Sequence, residues 1–260
     1  MDKRTQNRLI PIVTLLVVLT GATVSGPAYA APEDPFEPMN RMVFSFNNGL
    51  DTWLLRPTAV VYHALLPTFA ENGVRNFFAN VGEVRNAVHN GLQGKIGGTV
   101  QSTERFLINS TVGLGGLFDV ASKIGIPVQR EDLGQTLGVW GFKSGPYLVL
   151  PLVGPSSVRD GLGVVVDPLL SPMRQVPMAS GSRLSFALLA GVQTRADLLA
   201  AESLLAAESL LMGDAYSQYR QVYLSKREYD VHDGVLAGDA FLDEGNDFSD
   251  DDDGFVDEAF

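Results

Sequence analysis

The chain has 260 residues, no cysteine and a formal net charge of -11. Without cysteine it can form no disulfide, thiolate zinc site or cysteine nucleophile, and its length allows one domain of about 200 residues plus appendages. The negative charge is local: residues 239–260 carry ten acids and no base, while residues 31–238 are nearly neutral at -3. No basic face is therefore available to neutralise nucleic-acid phosphates.

At the N-terminus, Lys3, Arg4 and Arg8 precede the apolar run Leu9 to Val24, and Ala28-Tyr29-Ala30 follows as a small-residue cleavage site. This pattern predicts a secretory signal peptide over 1–30; an apolar run interrupted by Pro11 falls short of the roughly 20 residues a membrane span needs. The mature chain opens on Asp34-Pro35-Phe36-Glu37, which predicts a helix capped by Asp34 with proline in its first turn. Met39, Met42, Val43, Phe46, Leu50, Trp53 and Leu54 recur at helical spacing, and Arg56-Pro57 is expected to end the helix.

A second helix is expected from a capping Thr68 with Glu71 three residues on. Val74, Phe77, Phe78, Val81, Val84 and Val88 form one face and Asn72, Asn76, Asn80, Glu83, Asn86 and Asn90 another. That amide-rich stripe reads as a solvent face or as the wall of a water-accessible cavity. Residues 95–128 continue with a helix through Val100, Phe106, Leu107 and Ile108. The charge-free run from Phe106 to Phe118, with Gly113, Gly115 and Gly116, suits lying against a bilayer or under a neighbouring helix.

From Leu133 to Gly163 the chain is apolar and rich in glycine, and its only ionisable side chains are Lys143, Tyr147, Arg159 and Asp160. Glycine in an apolar stretch points to close approach of backbone to another helix or a lipid chain. Arg159 and Asp160 are expensive to bury unpaired, and neighbours on a helix do not face each other. They fit a water-facing helix start, or an Arg159 that meets lipid phosphate or pins one helix to another. A helix follows from Arg183 to Met212, ended by Gly213. A last amphipathic piece, Ala215 to Tyr229, carries Tyr216, Tyr219 and Tyr223 among basic residues, a combination suited to a membrane interface and found more commonly on a surface helix that packs one face. Strand-like alternation persists nowhere, so the fold reads as mostly α with Gly/Pro-rich connections, in one domain over 31–236 followed by an acidic disordered tail over 237–260.

Catalytic and metal motifs are missing from the sequence. His63, His89 and His232 are scattered, no nucleotide loop or GxSxG elbow occurs, and Asp250 to Asp253 lacks the carboxylate spacing of a calcium loop. No cofactor or metal is expected.

Several long blocks nevertheless resemble the VacJ/MlaA family of outer-membrane lipid-asymmetry proteins. They are DPFEPMNRMVFSFNNGLD (34–51), LRPTAVVYHALLP (55–67), VRNFFANVGE (74–83), HNGLQGK (89–95), RFLINSTVGLGGLFDVAS (105–122), the glycine-rich stretch through GPSSVRDGLG, and TRADLL with SQYRQVYLSKREY. The resemblance implies a single ring-like domain of amphipathic helices in the inner leaflet of the outer membrane, around an amphipathic channel. It further implies withdrawal of stray phospholipids from the outer leaflet, a periplasmic lipid-carrier protein and a trimeric porin as partners, and no covalent chemistry. On it, Asn40, Arg41, Phe46, Asn47, Gly145, Pro146, Tyr147, Arg159 and Asp160 shape or gate the passage, with Trp53, Trp140, Tyr216, Tyr219 and Tyr223 at the membrane interface. The family's usual lipid-bearing cysteine has no counterpart here, so anchoring is expected from the protein surface. A phospholipid hydrolase and a structural or host-interaction surface protein are the alternatives.

Overall fold

The computed structural model describes residues 34–209 and 214–234. The expected signal peptide and acidic tail lie outside them. The described chain is mostly helical, as the periodicities predict.

Helix α1 spans Glu37–Leu50 and runs through a π-helical turn, Asp51–Leu55, into α2, Arg56–Leu65. Two expectations fail here. Asp34 does not cap α1: Phe36 holds the cap position without a side-chain bond, and the Asp34 carboxylate accepts from the Phe36 N–H and the Asn40 amide. Nor does Pro57 end the helix. The widened turn, in which the Arg56 N–H donates to the Asp51 carbonyl, relieves the clash between a proline ring and the carbonyl four residues back.

Helices α3, Thr68–Leu92, and α4, Ile96–Thr111, pack against each other as a helical hairpin. Thr68 makes no capping bond; Pro67 precedes the first turn in extended geometry, and Glu71 pairs with His63 and Arg75 instead. Gly98 brings α4 onto Asn90 of α3, where any Cβ would collide with the amide. A glycine-rich turn leads to the short α5, Val120–Lys123, capped by Asp119, and then to α6, Leu133–Val139, capped by Asp132.

An antiparallel hairpin comes next: β1, Tyr147–Leu150, pairs with β2, Gly154–Ser157, in the register Tyr147↔Ser157 to Leu150↔Gly154. The mostly α expectation stands, and these two short strands are what the periodicities did not reveal. Each strand has four residues and β2 reads Gly-Pro-Ser-Ser, too short and too rich in turn formers to show alternation. Ser157 caps α7, Val158–Val166, followed by 3-10 turns at Asp167–Leu170 and Pro172–Arg174. Helix α8, Ser180–Ser209, packs along α2, and α9, Ala215–Val231, lies across α6 and β2.

Burial is inverted relative to a water-soluble domain. Among the described residues sixteen polar or charged residues are buried and only six hydrophobic ones, while thirty-eight large apolar side chains are exposed. Helix α3 shows this most directly, since Glu71, Asn80, Glu83, Asn86, His89 and Asn90 are its buried residues and Val88 and Leu92 are exposed. From Asn80 onward the stripe is thus a buried seam and not a solvent face, while Asn72 at its start lines a cavity. Asn80 donates to Ser110 Oγ at 2.9 Å, Asn86 donates to Glu83 at 3.1 Å and Asn76 donates to the Leu117 carbonyl at 3.0 Å. Polar side chains satisfy one another inside, and nonpolar ones face out, as when the surroundings are hydrocarbon. No helix among the described residues is long and apolar enough to cross a membrane.

Candidate functional site

The hairpin is fastened to α1 by two asparagines seven residues apart. β1 has β2 on one edge only, so its other edge presents backbone groups that need partners. Asn40, fully buried, donates to the Tyr147 carbonyl at 3.0 Å and accepts from the Val149 N–H at 2.9 Å. Two turns on, Asn47 donates to the Leu150 carbonyl at 3.0 Å and accepts from the Leu152 N–H at 2.9 Å. A carboxamide carries donor and acceptor in one plane, as a peptide does, so the two side chains stand in for a third strand.

Three of the expected passage residues, Asn40, Asn47 and Tyr147, therefore meet. Gly145, in left-handed geometry at φ 69°, and Pro146 lead the chain into β1. Arg41 turns away to Glu37 at 2.7 Å and to both oxygens of Asp214, and its guanidinium lies 4.4 Å from the Tyr216 ring centre. Phe46 is exposed. Behind the junction, Tyr147, Val149 and Tyr216 form the small apolar core with Val43, Phe44, Tyr223 and Leu224. Burial, and then the charge of Asp34, push the Tyr147 hydroxyl up to about 12.

The aromatic residues expected at a membrane interface divide. Trp53, Trp140 and Tyr219 are exposed, with Trp140 donating to the Leu92 carbonyl at 3.0 Å. Tyr216 is instead buried and donates to Asp34, and half-buried Tyr223 donates to Asp160 at 2.5 Å. A tyrosine whose hydroxyl is committed to a carboxylate inside the fold does not present it to head groups.

Arg159 and Asp160, in the first turn of α7, pair with each other at 3.0 Å, contrary to the expectation that helix neighbours do not face. Their side chains are 9% and 8% exposed, so the water-facing reading fails; among the described residues Arg159 itself bonds only within its own turn and to the Phe142 carbonyl, and the link between helices passes through Asp160. Arg227 of α9 reaches Asp160 at 3.0 Å and Asp132 at 2.7 Å, joining three helices. Gly134 makes room: a Cβ there would fall on the Asp160 carboxylate and the Arg227 guanidinium.

Burial pushes the Asp160 carboxyl up, but hydrogen bonds from Tyr223 and Arg227, with the Arg227 charge, outweigh it and hold it at about 2. Asp132 is likewise held below its ordinary value, burial again being overcome by Arg227. A depressed folded-state value contributes stability that is complete above the unfolded value and vanishes as pH falls through the folded one. Acid titration should therefore leave the melting temperature flat above pH about 5 and lower it between pH about 4 and 2, with Asp160 alone contributing about 2 kcal/mol. Asp160→Asn, folded near neutral pH, should flatten part of that acid limb. An acid limb identical to that of the wild type would refute this account.

Beside this cluster lies a cleft of about 310 Å³ lined by Arg85, Asp132, Asp160, Gly163, Val164, Asp167 and Pro168. His89, buried on α3, spans from Asp167 at 3.2 Å to Thr136 at 3.0 Å. A second cavity of about 490 Å³ lies among His63, Thr68, Glu71, Asn72, Arg75, Ala196, Asp197 and Leu199. Among the described residues no group of three His, Asp or Glu side chains could hold a metal ion. Glu83, His89 and Arg105 escape sequence reasoning as structural partners. Their position on or opposite the α3 stripe is the signal that could have found them.

A family model described as "MlaA lipoprotein" matches residues 32–230. An uncharacterised protein of Rickettsia felis is 44% identical over 141 residues, and the alignment spans 54% of this chain and 56% of that relative's length. The "Intermembrane phospholipid transport system lipoprotein MlaA" of Escherichia coli K12 is 35% identical over 237 residues, covering 88% of this chain and 90% of the relative. A solved structure described as the "Structural basis for maintenance of bacterial outer membrane lipid asymmetry" aligns with TM-score 0.66 and 32% identity, covering 76% of this chain and 99% of that one.

Proposed function

The chain belongs to the MlaA lipoprotein family, and from that premise we propose that it maintains outer-membrane lipid asymmetry by moving phospholipid between membranes. The single observation that carries the reading is the inverted burial: polar side chains are sequestered between helices and large apolar ones point outward, on a body without a membrane-crossing helix among the described residues. Such a body is stable when sunk into one leaflet. In this reading it is a ring-like helical domain in the periplasm-facing leaflet of the outer membrane, exported by its signal peptide. Exposed Met39, Met42 and Trp53 contribute to the lipid-facing surface. With no cysteine in the sequence to bear a thioether lipid, apolar surface is the membrane contact.

Stray outer-leaflet phospholipid enters an amphipathic passage, its head group along polar lining and its acyl chains against nonpolar residues, and a periplasmic carrier takes it onward. A trimeric porin holds the protein in place. Asn40 and Asn47 fix the hairpin that borders the passage, with Gly145, Pro146 and Tyr147 setting its entry. Arg41, Phe46, Arg159 and Asp160 shape its walls. The process moves lipid without making or breaking a covalent bond.

The test is outer-leaflet phospholipid content in cells whose only copy is deleted, wild type, or the Met42→Asp/Trp53→Asp double variant. Deletion should raise surface phospholipid several-fold and wild type should restore it. The double variant should move largely from the membrane to the soluble fraction, since a carboxylate placed in hydrocarbon is unfavourable by about 2.5–3.5 kcal/mol. Unchanged surface phospholipid on deletion, or lyso-lipid released from labelled phospholipid by the purified protein, would refute transport without chemistry.

A further inference from the structure

Arg85 stands apart from the other buried or half-buried arginines near the C-terminal helix. Arg227 is committed to Asp132 and Asp160, and Arg159 to Asp160 and the Phe142 carbonyl. Arg85 is half-buried, its Nε is shielded from solvent and has no hydrogen-bond partner, and it forms no ion pair among the described residues. It sits on the polar face of α3, one turn before His89, and lines the 310 Å³ cleft. The carboxylates that share the cleft are already engaged: Asp132 and Asp160 by Arg227, and Asp167 by His89 and the Leu133 N–H. The cleft thus offers a cation with an unused planar fork of donors.

A guanidinium drawn partly out of water without a partner is unfavourable, and a phosphate oxygen pair relieves it with two parallel charge-assisted bonds. Asp160 and Asp167 in the same wall repel additional negative charge, so a singly charged phosphodiester is favoured over a phosphate dianion. The volume is at the lower end of the roughly 300–1,000 Å³ typical of small-molecule pockets, enough for a head group and not for two acyl chains. The helix that supplies Gly163 and Val164 to the wall also exposes Leu162 and Val165, and Leu169 follows in the next turn. Polar pocket and apolar shelf are thus adjacent.

We propose that Arg85 is the phosphate contact for a phospholipid head group in this cleft, with the acyl chains lying over Leu162, Val165 and Leu169. This assignment rests on the transport reading and names the residue that would hold the cargo. Because Arg85 has no partner to lose, its replacement should leave the fold intact, and a melting temperature unchanged in Arg85→Gln checks that directly.

The experiment is native mass spectrometry of the full chain in mild detergent, titrated with micelles containing phosphatidylethanolamine, and in parallel with glycerophosphoethanolamine and with inorganic phosphate. Arg85→Gln should weaken lipid binding about tenfold or more, the weight of a charge-assisted bond, and Arg85→Lys should recover part of it by restoring the charge without the fork. Wild-type binding of the acyl-free compounds should be far weaker. Lipid binding by Arg85→Gln equal to wild type overturns the assignment and leaves transport standing. Lipid binding by neither protein overturns the transport reading itself. Arg85-dependent binding of an acyl-free compound as tight as that of lipid overturns the lipid assignment in favour of a site for soluble phosphate compounds.

Discussion

Arg105→Met should melt far below the wild type, by about 10 °C or more, because it breaks the most deeply buried ion pair among the described residues. The Arg105 and Glu83 side chains are 3% and 2% exposed and meet at 2.6 Å. Arg105 also donates to Ser122 Oγ at 3.0 Å, the Ile126 carbonyl at 2.7 Å and Asp119 at 3.1 Å, so one side chain ties α3, α4 and the loop after α5 together. Removing it leaves Glu83 a buried carboxylate with only the Asn86 amide as a hydrogen-bond partner. Such a broken pair typically destabilises by about 3–5 kcal/mol, whereas replacing both members with apolar residues is often neutral. The Glu83→Met/Arg105→Met double variant should therefore recover most of the loss. Thermal unfolding followed by circular dichroism in detergent reads both, and a single variant that melts with the wild type would sink the argument.

Asn40→Ala should release the hairpin from α1. It orphans the buried Val149 N–H and the Tyr147 carbonyl and takes a donor from Asp34. Each buried unsatisfied group is unfavourable by about 1–3 kcal/mol, so the local loss should reach about 3 kcal/mol. Hydrogen exchange locates the effect: the Val149 amide should exchange at least a hundredfold faster while amides in the middle of α3 change little. Asn47→Ala, nearer the surface, should act in the same direction and more weakly. Uniform acceleration across the chain would mean that Asn40 supports the whole fold and not the hairpin in particular.

How far these features could be read in advance depends on what they rest on. Helices α1, α3, α8 and α9 repeat apolar residues at helical spacing, and that period survives in any solvent. Asn40 and Asn47 were visible as polar residues seven apart, though not their task, because their partners lie over a hundred residues away. The hairpin was invisible for the same reason: four-residue strands are stabilised here by side chains of a distant helix, not by their own alternation. Pro57 misled because a π-helical turn absorbs a proline that an ordinary helix cannot. Arg85 carried no signal, since a lone arginine in an amide-rich stripe looks like any solvated base.

Sequence by itself determined the helical segments, the two-faced character of α3, the near neutrality of the region before the tail and the family. It could not determine which face is inside. An apolar and a polar stripe have the same period whether water or lipid surrounds them, and the choice falls to whichever set of side chains finds partners when helices meet. Here the amides, Glu83, His89 and Arg105 find each other, so tertiary structure alone decided that the polar seam closes and the apolar residues face outward. It also decided which acids are neutralised, leaving Arg85 without a partner among the described residues beside three committed carboxylates.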